Sequence, residues 1–521
     1  MTEPKKALLF IADYTDQGQD RIFTWSDSIL KEITAVDLVS EEHELVCHDF
    51  WLIAPSIYRV TKKLPPNITD IEELRILTSG QKKERESRDR KDISHLLSKI
   101  VSNEIISKYR EIFNRKSPLD ETIFSSIGEA LVKCSELVEQ DANNAGEWER
   151  FIRIERPVND YLTRSTAEGI SISEDNLRSH KNKIDFEFYM ALKNFSSDYD
   201  MPLEVPTDQA VIEYLEPKGF DFTGLDVDYI LNFVPMQSDF AVDLLRLRKI
   251  QNSRRVLAAI PLSQSRIYPI VDSFGSITSR IYFKDPSLQN LAKQHRNIII
   301  PEIDKQLSYI DYNQFEAGVM AAISGDEKLL DLYNSSDVYE IAADAIFDDK
   351  RKRKEAKRLF LSYAYGMKRQ HLLAAAQGFG ADRQNAKAFF EQFKTFETWK
   401  IQVYAEFQRS GKIGTELGNY MQRDRKGDLT SKEKRSAISQ VVQGTASLIF
   451  KKALLSLSKI SEVKLKIPMH DAVLLEHSAD FDINRVVSIF STTMSEHFQH
   501  KIQGKASLSQ FNEINISTHQ T

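Results

Sequence analysis

The sequence predicts an α+β fold of several subdomains, in which two acidic strand ends meet on one sheet. Strand-like segments alternate with polar turns in residues 1–75, and residues 94–260 largely repeat apolar side chains at helical spacing. Beyond residue 263 the order is an acidic strand, several helices, one of them predicted over 385–408, and a second acidic strand. Strands distant in sequence can be neighbours in one sheet, so we expect the two acidic strands to pair.

Composition limits the class of protein. The 521 residues, 41% of them hydrophobic, suffice for a large core, and predict about three or four domains or subdomains. Two cysteines, Cys47 and Cys134, cannot form a disulfide framework, which favours a reducing interior. The first apolar run ends at Asp13, too short for a secretory signal, and no stretch approaches the roughly 20 apolar residues of a membrane helix. We therefore expect a cytoplasmic protein without a membrane partner, in the host cytoplasm if it is viral.

The distribution of charge is more informative than its sum. A net charge of −6 argues mildly against a nucleic-acid partner. Basic residues nevertheless cluster at 246–249, 254–255, 350–358 and 423–426. One such cluster is most often a solvated face, but four in the C-terminal half fit a phosphate-lined groove. A further charged stretch, 81–92, predicts a linker or an exposed helix.

Two aspartates are candidates for a shared metal site. LSYIDYNQFEAGVMAAISGD (307–326) has a strand ending at Asp311, and KIPMHDAVLLE (466–476) has Asp471 near a hairpin turn. Either aspartate alone would most often be a helix cap or a turn residue. If the strands pair, a divalent cation relieves the repulsion between the carboxylates, and hard oxygen ligands suit Mg²⁺. Two such ions can support an in-line displacement, with Mn²⁺ as the alternative ion.

The segment RKRKEAKRLFLSYAYGM (351–367) predicts a helix with a graded surface. Arg353, Lys357, Leu361 and Tyr365 recur every four residues and so share one face. The cations would hold a triphosphate, and the apolar and aromatic positions would hold a base. An amphipathic helix with a solvated basic start is the alternative interpretation.

At these residues the sequence resembles the family A DNA polymerases, namely bacterial DNA polymerase I and related phage replicases. Five segments, spread over roughly residues 145–490, match the family in its order. They are TSRIYFKDPSLQNL (278–291), a motif A-like segment (311–326), a motif B-like helix with Gly366 at matching spacing (351–367), QVVQGTASLIF (440–450) and a motif C-like HDAV (470–473). Five ordered matches are far more specific than any one of them.

The resemblance implies a right-hand polymerase fold and a template-directed DNA polymerase that extends a primer with dNTPs in DNA replication. The implied source is a phage or mobile element, and the implied partners are primer–template DNA, dNTPs and replisome proteins such as a helicase and a single-strand-binding protein. The implied regions are a degenerate 3′–5′ exonuclease-like α/β domain (1–115), a thumb and preceding helical region (116–262), a first palm part (263–335), fingers (336–450) and a second palm part (451–521).

The resemblance also assigns roles at the reaction centre. Asp311 and Asp471 would be catalytic and hold the two Mg²⁺ ions, with Tyr312 as a further metal-site residue. Arg353 and Lys357 would grip the incoming triphosphate and offset charge that develops during phosphoryl transfer.

Further positions would contact the nucleotide and the DNA. Tyr365 would close over the nascent pair, Glu316 would exclude a 2′-hydroxyl, and Gln314 would support the nucleotide pocket. The implied DNA contacts, several of them in the minor groove near the primer end, are Arg280, Gln289, Asn290, Gln443 and His470.

Several positions depart from the family pattern. Ala472 replaces the second acid of motif C, which puts metal affinity and metal choice in question. In motif B, Leu361 stands where the family usually has an aromatic residue, and Ser362 stands where it usually has glycine. Ser439 replaces an asparagine, and Tyr339 stands where many members carry histidine but could still donate to a phosphate.

The N-terminal region lacks the acids expected of a proofreading exonuclease. The first strand offers Asp13 and Thr15 in place of two acids, and the acid expected in the second motif falls at Ile53. Proofreading needs about four carboxylates around two metals. We therefore expect a degenerate domain without 3′–5′ proofreading.

Two other functions remain open from the sequence. A single-subunit RNA polymerase would share the palm, both aspartates and the basic helix, although Glu316 and the SLQN segment argue against it. A non-catalytic, polymerase-shaped DNA-binding protein would fit Ala472, but it has no need of Asp311, Asp471, Arg353 and Lys357 together.

Overall fold

The structure is a computed structural model that describes residues 5–13, 20–86, 93–219, 227, 231 and 239–513. It mixes helices and strands throughout, which confirms the α+β prediction. Within these residues no helix is long and apolar enough to cross a membrane. Cys47 and Cys134 are buried free thiols.

A five-stranded mixed sheet organises the N-terminal region. Its strands are β1 (Lys6–Ile11), β2 (Arg21–Ser26), β3 (Ile29–Ile33), β4 (Leu45–Cys47) and β5 (Ile68–Asp70). The order is β3-β2-β1-β4-β5, with β1, β4 and β5 parallel and β2 and β3 antiparallel. Alternate residues of β1 enter two different apolar cores, so both faces of the sheet are covered.

Helices cover both faces of this sheet. They are Ala35–Val39, Ala54–Thr61, Ile71–Thr78, Ile93–Leu97, Asn103–Phe113 and Glu121–Ala145. The short helix Lys82–Glu86 lies between the third and fourth of these in sequence. The core on one face includes residues from Ala7 to Phe151, and the long helix Glu121–Ala145 supplies much of it. We call residues 5–145 of the described chain the N-terminal module.

Two long antiparallel helices, Glu174–Tyr199 and Asp239–Ala258, project from the middle of the chain. Phe188, Leu192 and Leu244 are among the residues that form their shared apolar core. Helix Asp208–Leu215 packs on the same core through Val211 and Leu215. Earlier in the chain, a π-helical turn at Phe151–Glu155 joins the helices Trp148–Arg150 and Arg156–Glu168. The helical prediction for this part of the chain is therefore confirmed in the described residues.

Short strands lead into the central sheet. They are β6 (Ile170–Ser171), β7 (Arg266–Ile267), β8 (Ile270–Asp272) and β9 (Tyr282–Lys284). The remaining strands are β10 (Lys305–Tyr312), β11 (Lys412–Thr415), β12 (Gly418–Gln422), β13 (Val463–Pro468), β14 (Ala472–Ser478) and β15 (Ala506–Ser509).

The central sheet has the antiparallel order β13-β14-β10-β15. The two acidic strands are neighbours, as predicted. Asp311 lies opposite Ala472, and the Tyr312 N–H donates to the Asp471 carbonyl at 3.0 Å.

Helices between β10 and β15 complete the largest core. They are Phe315–Ser324, Glu327–Ser335, Val338–Phe347, Arg353–Ala364, Arg369–Gly378, Arg383–Glu391, Lys394–Ser410, Ser431–Leu457 and Asn484–His497. The core they share with the sheet contains Phe360, Phe393 and Ile449. Because the sheet and these helices share one core, they hold the strand ends in a fixed relation to helix Arg353–Ala364.

Two local predictions differ from the structure. The apolar pattern of 385–408 suggested one helix, but the chain breaks it at Gln392 and Phe393, where Phe393 turns into the core. The charged stretch 81–92 suggested an exposed helix or linker. In its described part, residues 81–86, the helix is present but Arg85 is only 6% exposed.

Candidate functional site

A cleft of about 730 Å³ opens where β10, the β13–β14 turn and helix Arg353–Ala364 meet. Its lining includes most of the nucleotide and metal residues predicted from sequence. They are Asp311, Tyr312, Gln314, Glu316, Tyr339, Arg353, Lys357, Leu361 and Asp471. The cleft also contains Asn313, Phe315, Ser336, Asp337 and Lys505.

The two aspartates form a carboxylate couple at one end of the cleft. Burial and the nearby Asp471 charge raise the pKa of Asp311 to about 7. Asp471 faces the open cleft, yet surrounding protein and the Glu316 charge raise its pKa, against the opposing effects of Arg280 and Lys357. Asp311 therefore lies in surroundings that disfavour its charged form.

The couple fits a divalent cation. The Oδ1 atom of Asp311 is buried and has no hydrogen-bond partner among the described residues, which is uncommon for a buried polar atom. A cation between the carboxylates would satisfy this oxygen and offset the repulsion, and carboxylate oxygens suit Mg²⁺. Within the described chain, no three His, Cys, Asp or Glu side chains form a metal-binding group, so the protein contributes a pair of carboxylates here.

Tyr312 cannot serve a metal through its side chain. Its ring is buried and stacks on Phe315 at 4.1 Å, and its hydroxyl donates to the Phe490 carbonyl at 2.9 Å. Only the main chain of Tyr312 is left to face the metal site.

The basic helix presents its cations to the cleft, as its spacing predicts. The Arg353 guanidinium donates to Oδ2 of Asp337 at 2.6 and 3.2 Å. Arg353 and the exposed Lys357 both lie 5.4 Å from the centre of the buried Tyr339 ring. Leu361, one turn further along, lines the same cleft. The helix therefore offers two cations, an aromatic face and an apolar side chain in one place.

Glu316 is held from two sides. Arg280 donates to its Oε1 atom at 2.6 Å, and the Tyr365 hydroxyl donates to its Oε2 atom at 2.5 Å. Gln443 in turn donates to the Tyr365 oxygen at 3.4 Å. Burial and the Glu316 charge hold the pKa of Tyr365 well above its usual value, so the phenol keeps the proton it donates. Both oxygens of Glu316 are thus fixed at the edge of the cleft.

Gln314 is held by a main-chain hydrogen bond, whereas one ring nitrogen of His470 has no partner among the described residues. Gln314 has a left-handed backbone (φ 54°), and its Oε1 atom accepts from the Val338 N–H at 2.7 Å.

Burial and Arg280 lower the pKa of His470 to about 4, so this imidazole is neutral near pH 7. Its Nδ1 atom is buried without a partner in the described part of the chain.

Gln289 has a positioning role that the sequence did not indicate. Its amide accepts from the Phe283 N–H at 3.0 Å and donates to the carbonyls of Ile281 and Pro468. It therefore ties the strand after Arg280 to the end of β13. The neighbouring Asn290 is exposed and donates to Ser287 Oγ at 2.9 Å.

Asp337 and Lys505 belong to the cleft but were not predicted. Asp337 caps helix Val338–Phe347 and also binds Arg353. Lys505 donates to the carbonyls of Tyr333 and Ser336. An aspartate before a helical pattern indicates a cap, whereas nothing in the sequence brings the 505 region beside residue 336.

Comparison with known proteins identifies the family. The model of DNA polymerase family A matches residues 228–511, more than half of the chain. The chain belongs to DNA polymerase family A. The match confirms the resemblance inferred from the five segments.

Curated relatives agree with the family A assignment. DNA polymerase I of Streptococcus pneumoniae is 24% identical over 414 residues, which cover 71% of this chain and 46% of that protein. DNA polymerase I of Lactococcus lactis is 27% identical over 250 residues, 42% of this chain and 28% of that protein. The thermostable DNA polymerase I of Thermus aquaticus is 28% identical over 238 residues, 40% of this chain and 28% of that protein. The chain thus spans less than half the length of these relatives.

A solved structure shows the same fold. The POL domain of Pol1 from M. smegmatis, in complex with DNA primer-template and dNTP, superposes with a TM-score of 0.71. The alignment covers 97% of this chain and 94% of that domain at 17% sequence identity. The fold of family A polymerase domains is therefore present across nearly the whole chain.

Ala472 stands where the resemblance led us to expect a second motif C acid. Ala472 is fully buried in β14, opposite Asp311, and packs in a core with Ile467, Leu474 and Phe511. The position next to Asp471 thus presents a methyl group to apolar neighbours.

The expected exonuclease positions of the N-terminal module lie around the end of β1. The Asp13 side chain is 5% exposed and lies 3.3 Å from Arg115 Nη1. Ile53 is fully buried in the core, and Thr15 lies outside the described residues. Nearby, His48 Nε2 lies 2.6 Å from the Tyr109 hydroxyl.

Proposed function

We propose that this family A chain is a template-directed DNA polymerase that extends a primer with dNTPs by two-metal-ion nucleotidyl transfer. The observation that carries the proposal is the cleft itself. One cleft is lined both by the Asp311–Asp471 couple, with its unpartnered carboxylate oxygen, and by Arg353 and Lys357 of the basic helix. That arrangement of paired acids and facing cations suits a metal-bound triphosphate.

Asp311 and Asp471 would hold the ions, and the main chain of Tyr312 would complete the protein's part of the site. Bound divalent ions supply charge stabilisation to the attacking and leaving oxygens of an in-line displacement. Mg²⁺ often takes only one or two carboxylates, with waters and substrate phosphates as its other ligands. Two carboxylates are therefore sufficient, and Mg²⁺ is the ion we propose, with Mn²⁺ as the alternative.

Arg353 and Lys357 would bind the triphosphate. Asp337 holds the Arg353 guanidinium in place before substrate arrives, which reduces the side-chain entropy lost on binding. Tyr339 forms the floor beneath both cations and could direct its hydroxyl to a phosphate. Leu361 and Tyr365 would contact the base and sugar of the incoming nucleotide.

Glu316 would select deoxynucleotides. Arg280 and Tyr365 fix its two oxygens, so the carboxylate cannot move aside easily for a 2′-hydroxyl. Arg280, Gln443 and the neutral His470 would meet the minor groove at the primer end, where A·T and G·C pairs share hydrogen-bond acceptors.

The N-terminal module is proposed to be a degenerate exonuclease-like domain. Its sheet order and mixed strand directions support an exonuclease-like α/β domain. Asp13, the one acid retained from the expected pair in the first strand, forms an ion pair with Arg115. At the position of the acid expected in the second exonuclease motif, Ile53 is a buried core residue. A phage or mobile-element source and replisome partners are predictions that rest on the resemblance alone. A cytoplasmic location is a prediction from the cysteine content and the first apolar run of the sequence.

Primer extension tests the proposal. Wild-type protein with Mg²⁺, dNTPs and a labelled primer–template should extend the primer, and Asp471→Asn should not. Failure of the wild type would favour the non-catalytic DNA-binding alternative. Incorporation of ribonucleotides and deoxynucleotides at equal rates would favour the RNA polymerase alternative.

A separate assay tests the N-terminal module. A primer with a labelled 3′ mismatch and no dNTPs should stay intact under the same metal conditions. Trimming that is lost in Asp13→Asn would show that the domain is an active nuclease.

A further inference from the structure

The buried guanidinium of Arg85 reaches from the N-terminal module into the polymerase core. Its Nε atom donates to the Ser79 carbonyl at 2.9 Å, within its own module. Its Nη1 atom donates to the Ile277 carbonyl at 3.1 Å and lies 3.4 Å from the Ser276 carbonyl. The same nitrogen lies 3.2 Å from Asn419 Oδ1. One side chain therefore joins the module to the loop 276–279.

The loop 276–279 leads directly into Arg280. Ser279 adopts a left-handed backbone (φ 58°), and its hydroxyl donates to Asn419 Oδ1 at 2.8 Å. Its carbonyl accepts from Ser447 Oγ at 2.6 Å. A non-glycine residue holds a left-handed conformation only where its surroundings fix it. Arg85 and Ser447 thus hold the loop from which Arg280 leaves, together with Gln440, which donates to the Ile277 carbonyl, and Arg150, which donates to the Ser279 hydroxyl.

Arg85 lies beside a buried array of charges, because its Nη1 atom and the Nη2 atom of Arg150 lie 3.4 and 3.3 Å from the same Ser279 hydroxyl. Arg150 lies 3.3 Å from Glu147 and 3.1 Å from Glu155, and Lys451 donates to Glu155 at 2.6 Å. Glu147 in turn accepts from the main-chain N–H groups of residues 419 and 420 at 3.0 Å. The array fixes the β12 end that carries Asn419.

The chemistry of this array favours a positioning role over simple stabilisation. Burying charges is unfavourable, and well-packed apolar side chains often stabilise a core at least as well. A guanidinium, however, carries several donors in a fixed fork and can hold two separated segments in one geometry. Arg85 uses that fork to join Ser79 to the 276–277 carbonyls.

We propose that Arg85 is a positioning residue for Arg280, through which the N-terminal module sets the affinity of the polymerase site for the primer end. The inference rests on the proposed function, since it assigns Arg280 to the primer. It gives the module a role in polymerisation that does not depend on nuclease activity.

A double-mutant cycle of DNA binding tests this coupling. The variants are Arg85→Met, Arg280→Ala and their combination, with Lys83→Met as the control because Lys83 is exposed on the same short helix. The dissociation constant for a labelled primer–template is measured by fluorescence anisotropy, and thermal unfolding confirms that each variant is folded. If Arg85→Met does not fold, Arg85→Lys replaces it, since it keeps the charge but loses the fork.

We expect Arg85→Met to weaken primer–template binding about tenfold, the scale of one charge-assisted contact. Arg280→Ala should weaken it similarly, and Arg85→Met should add less than about twofold in the Arg280→Ala background. Lys83→Met should leave binding unchanged. A merely structural Arg85 would lower thermal stability and the active fraction without this coupling.

Three outcomes would overturn the inference. They are unchanged binding in Arg85→Met, effects of Arg85→Met that are equal in both backgrounds, and unchanged binding in Arg280→Ala. Primer extension by the wild type is recorded separately, so that failure of the proposed function is distinguished from failure of the coupling.

Discussion

Arg353 donates to Oδ2 of Asp337 at 2.6 and 3.2 Å, and the same carboxylate caps helix Val338–Phe347. The pair lies at the wall of the cleft, with side chains 41% and 22% exposed. Because it is partly solvated, it contributes little to stability. The pair instead fixes the position of the Arg353 guanidinium beside Lys357.

Arg353→Ala should therefore impair substrate binding more than stability. We expect the KM for dNTPs to rise at least about tenfold, because a charge-assisted contact to phosphate is lost. The unfolding free energy should change by less than about 1 kcal/mol. Arg351→Ala is the matched control, since Arg351 is 91% exposed and pairs only with Asp349 among the described residues. Equal KM effects in both variants would contradict the assignment.

Glu316→Ala tests sugar selection. Removing the fixed carboxylate opens space for a 2′-hydroxyl. Ribonucleotide incorporation relative to deoxynucleotides should therefore rise by at least about tenfold, which corresponds to about 1.4 kcal/mol of lost discrimination. Competitive incorporation of the two nucleotide types measures the ratio. Glu340→Ala, an exposed acid on a neighbouring helix, should leave the ratio unchanged. If the ratio of ribonucleotide to deoxynucleotide incorporation were unchanged in Glu316→Ala, Glu316 would not be the residue that selects the sugar.

Asp311 predicts how the stability of the metal-free protein depends on pH. Its pKa is about 7 in the fold against an ordinary 3.8, so between these values the folded state keeps a proton that the unfolded state has released. This contribution is greatest below the ordinary value and is lost as the pH rises toward 7. The unfolding free energy of the wild type should therefore fall between about pH 5 and about pH 8. In Asp311→Asn this fall should be smaller by at least about 1 kcal/mol.

Urea unfolding of wild type and Asp311→Asn in EDTA measures this difference. Ser308→Ala, on the same strand, serves as the control for a change in β10 outside the couple. If the unfolding free energy of wild type and of Asp311→Asn fell by the same amount over this pH range, Asp311 would have a pKa near its ordinary value.

Tyr312→Phe separates the side chain from the main chain at the metal site. The variant loses the hydroxyl that donates to the Phe490 carbonyl, and that buried acceptor is left unpaired. We expect a loss of about 1–2 kcal/mol in unfolding free energy. Primer extension should keep its dependence on Mg²⁺ concentration, because the phenol does not reach the cleft. A shifted Mg²⁺ dependence at unchanged stability would contradict this.

The strand pairing that builds the site could be predicted from the sequence. Each aspartate ends or interrupts an apolar strand pattern, and these patterns predicted that the two strands are neighbours, as β10 and β14 are. The antiparallel direction of the pair was not predicted. The four-residue spacing of Arg353, Lys357 and Leu361 likewise determined which side chains share the cleft. These inferences succeeded because local periodicity fixes which face of an element is buried.

Contacts between distant segments could not be predicted in the same way. A charged pattern indicated that residues 81–86 are exposed, but Arg85 is buried, and two of its partners are carbonyls almost 200 residues away. Gln289 matched a DNA-contact motif, yet its amide is used by three backbone groups. Main-chain partners carry no signature in the sequence, so such roles appear only in the folded chain.

The most direct test of the account is primer extension by the aspartate variants. Wild-type protein should extend a labelled primer on a DNA template with dNTPs in the presence of Mg²⁺. Asp311→Asn and Asp471→Asn should each lower the rate by at least about a thousandfold, because either change removes half of the couple that holds the ions. Retention of wild-type extension in either variant, or no extension by the wild type, would contradict the proposed role of this couple.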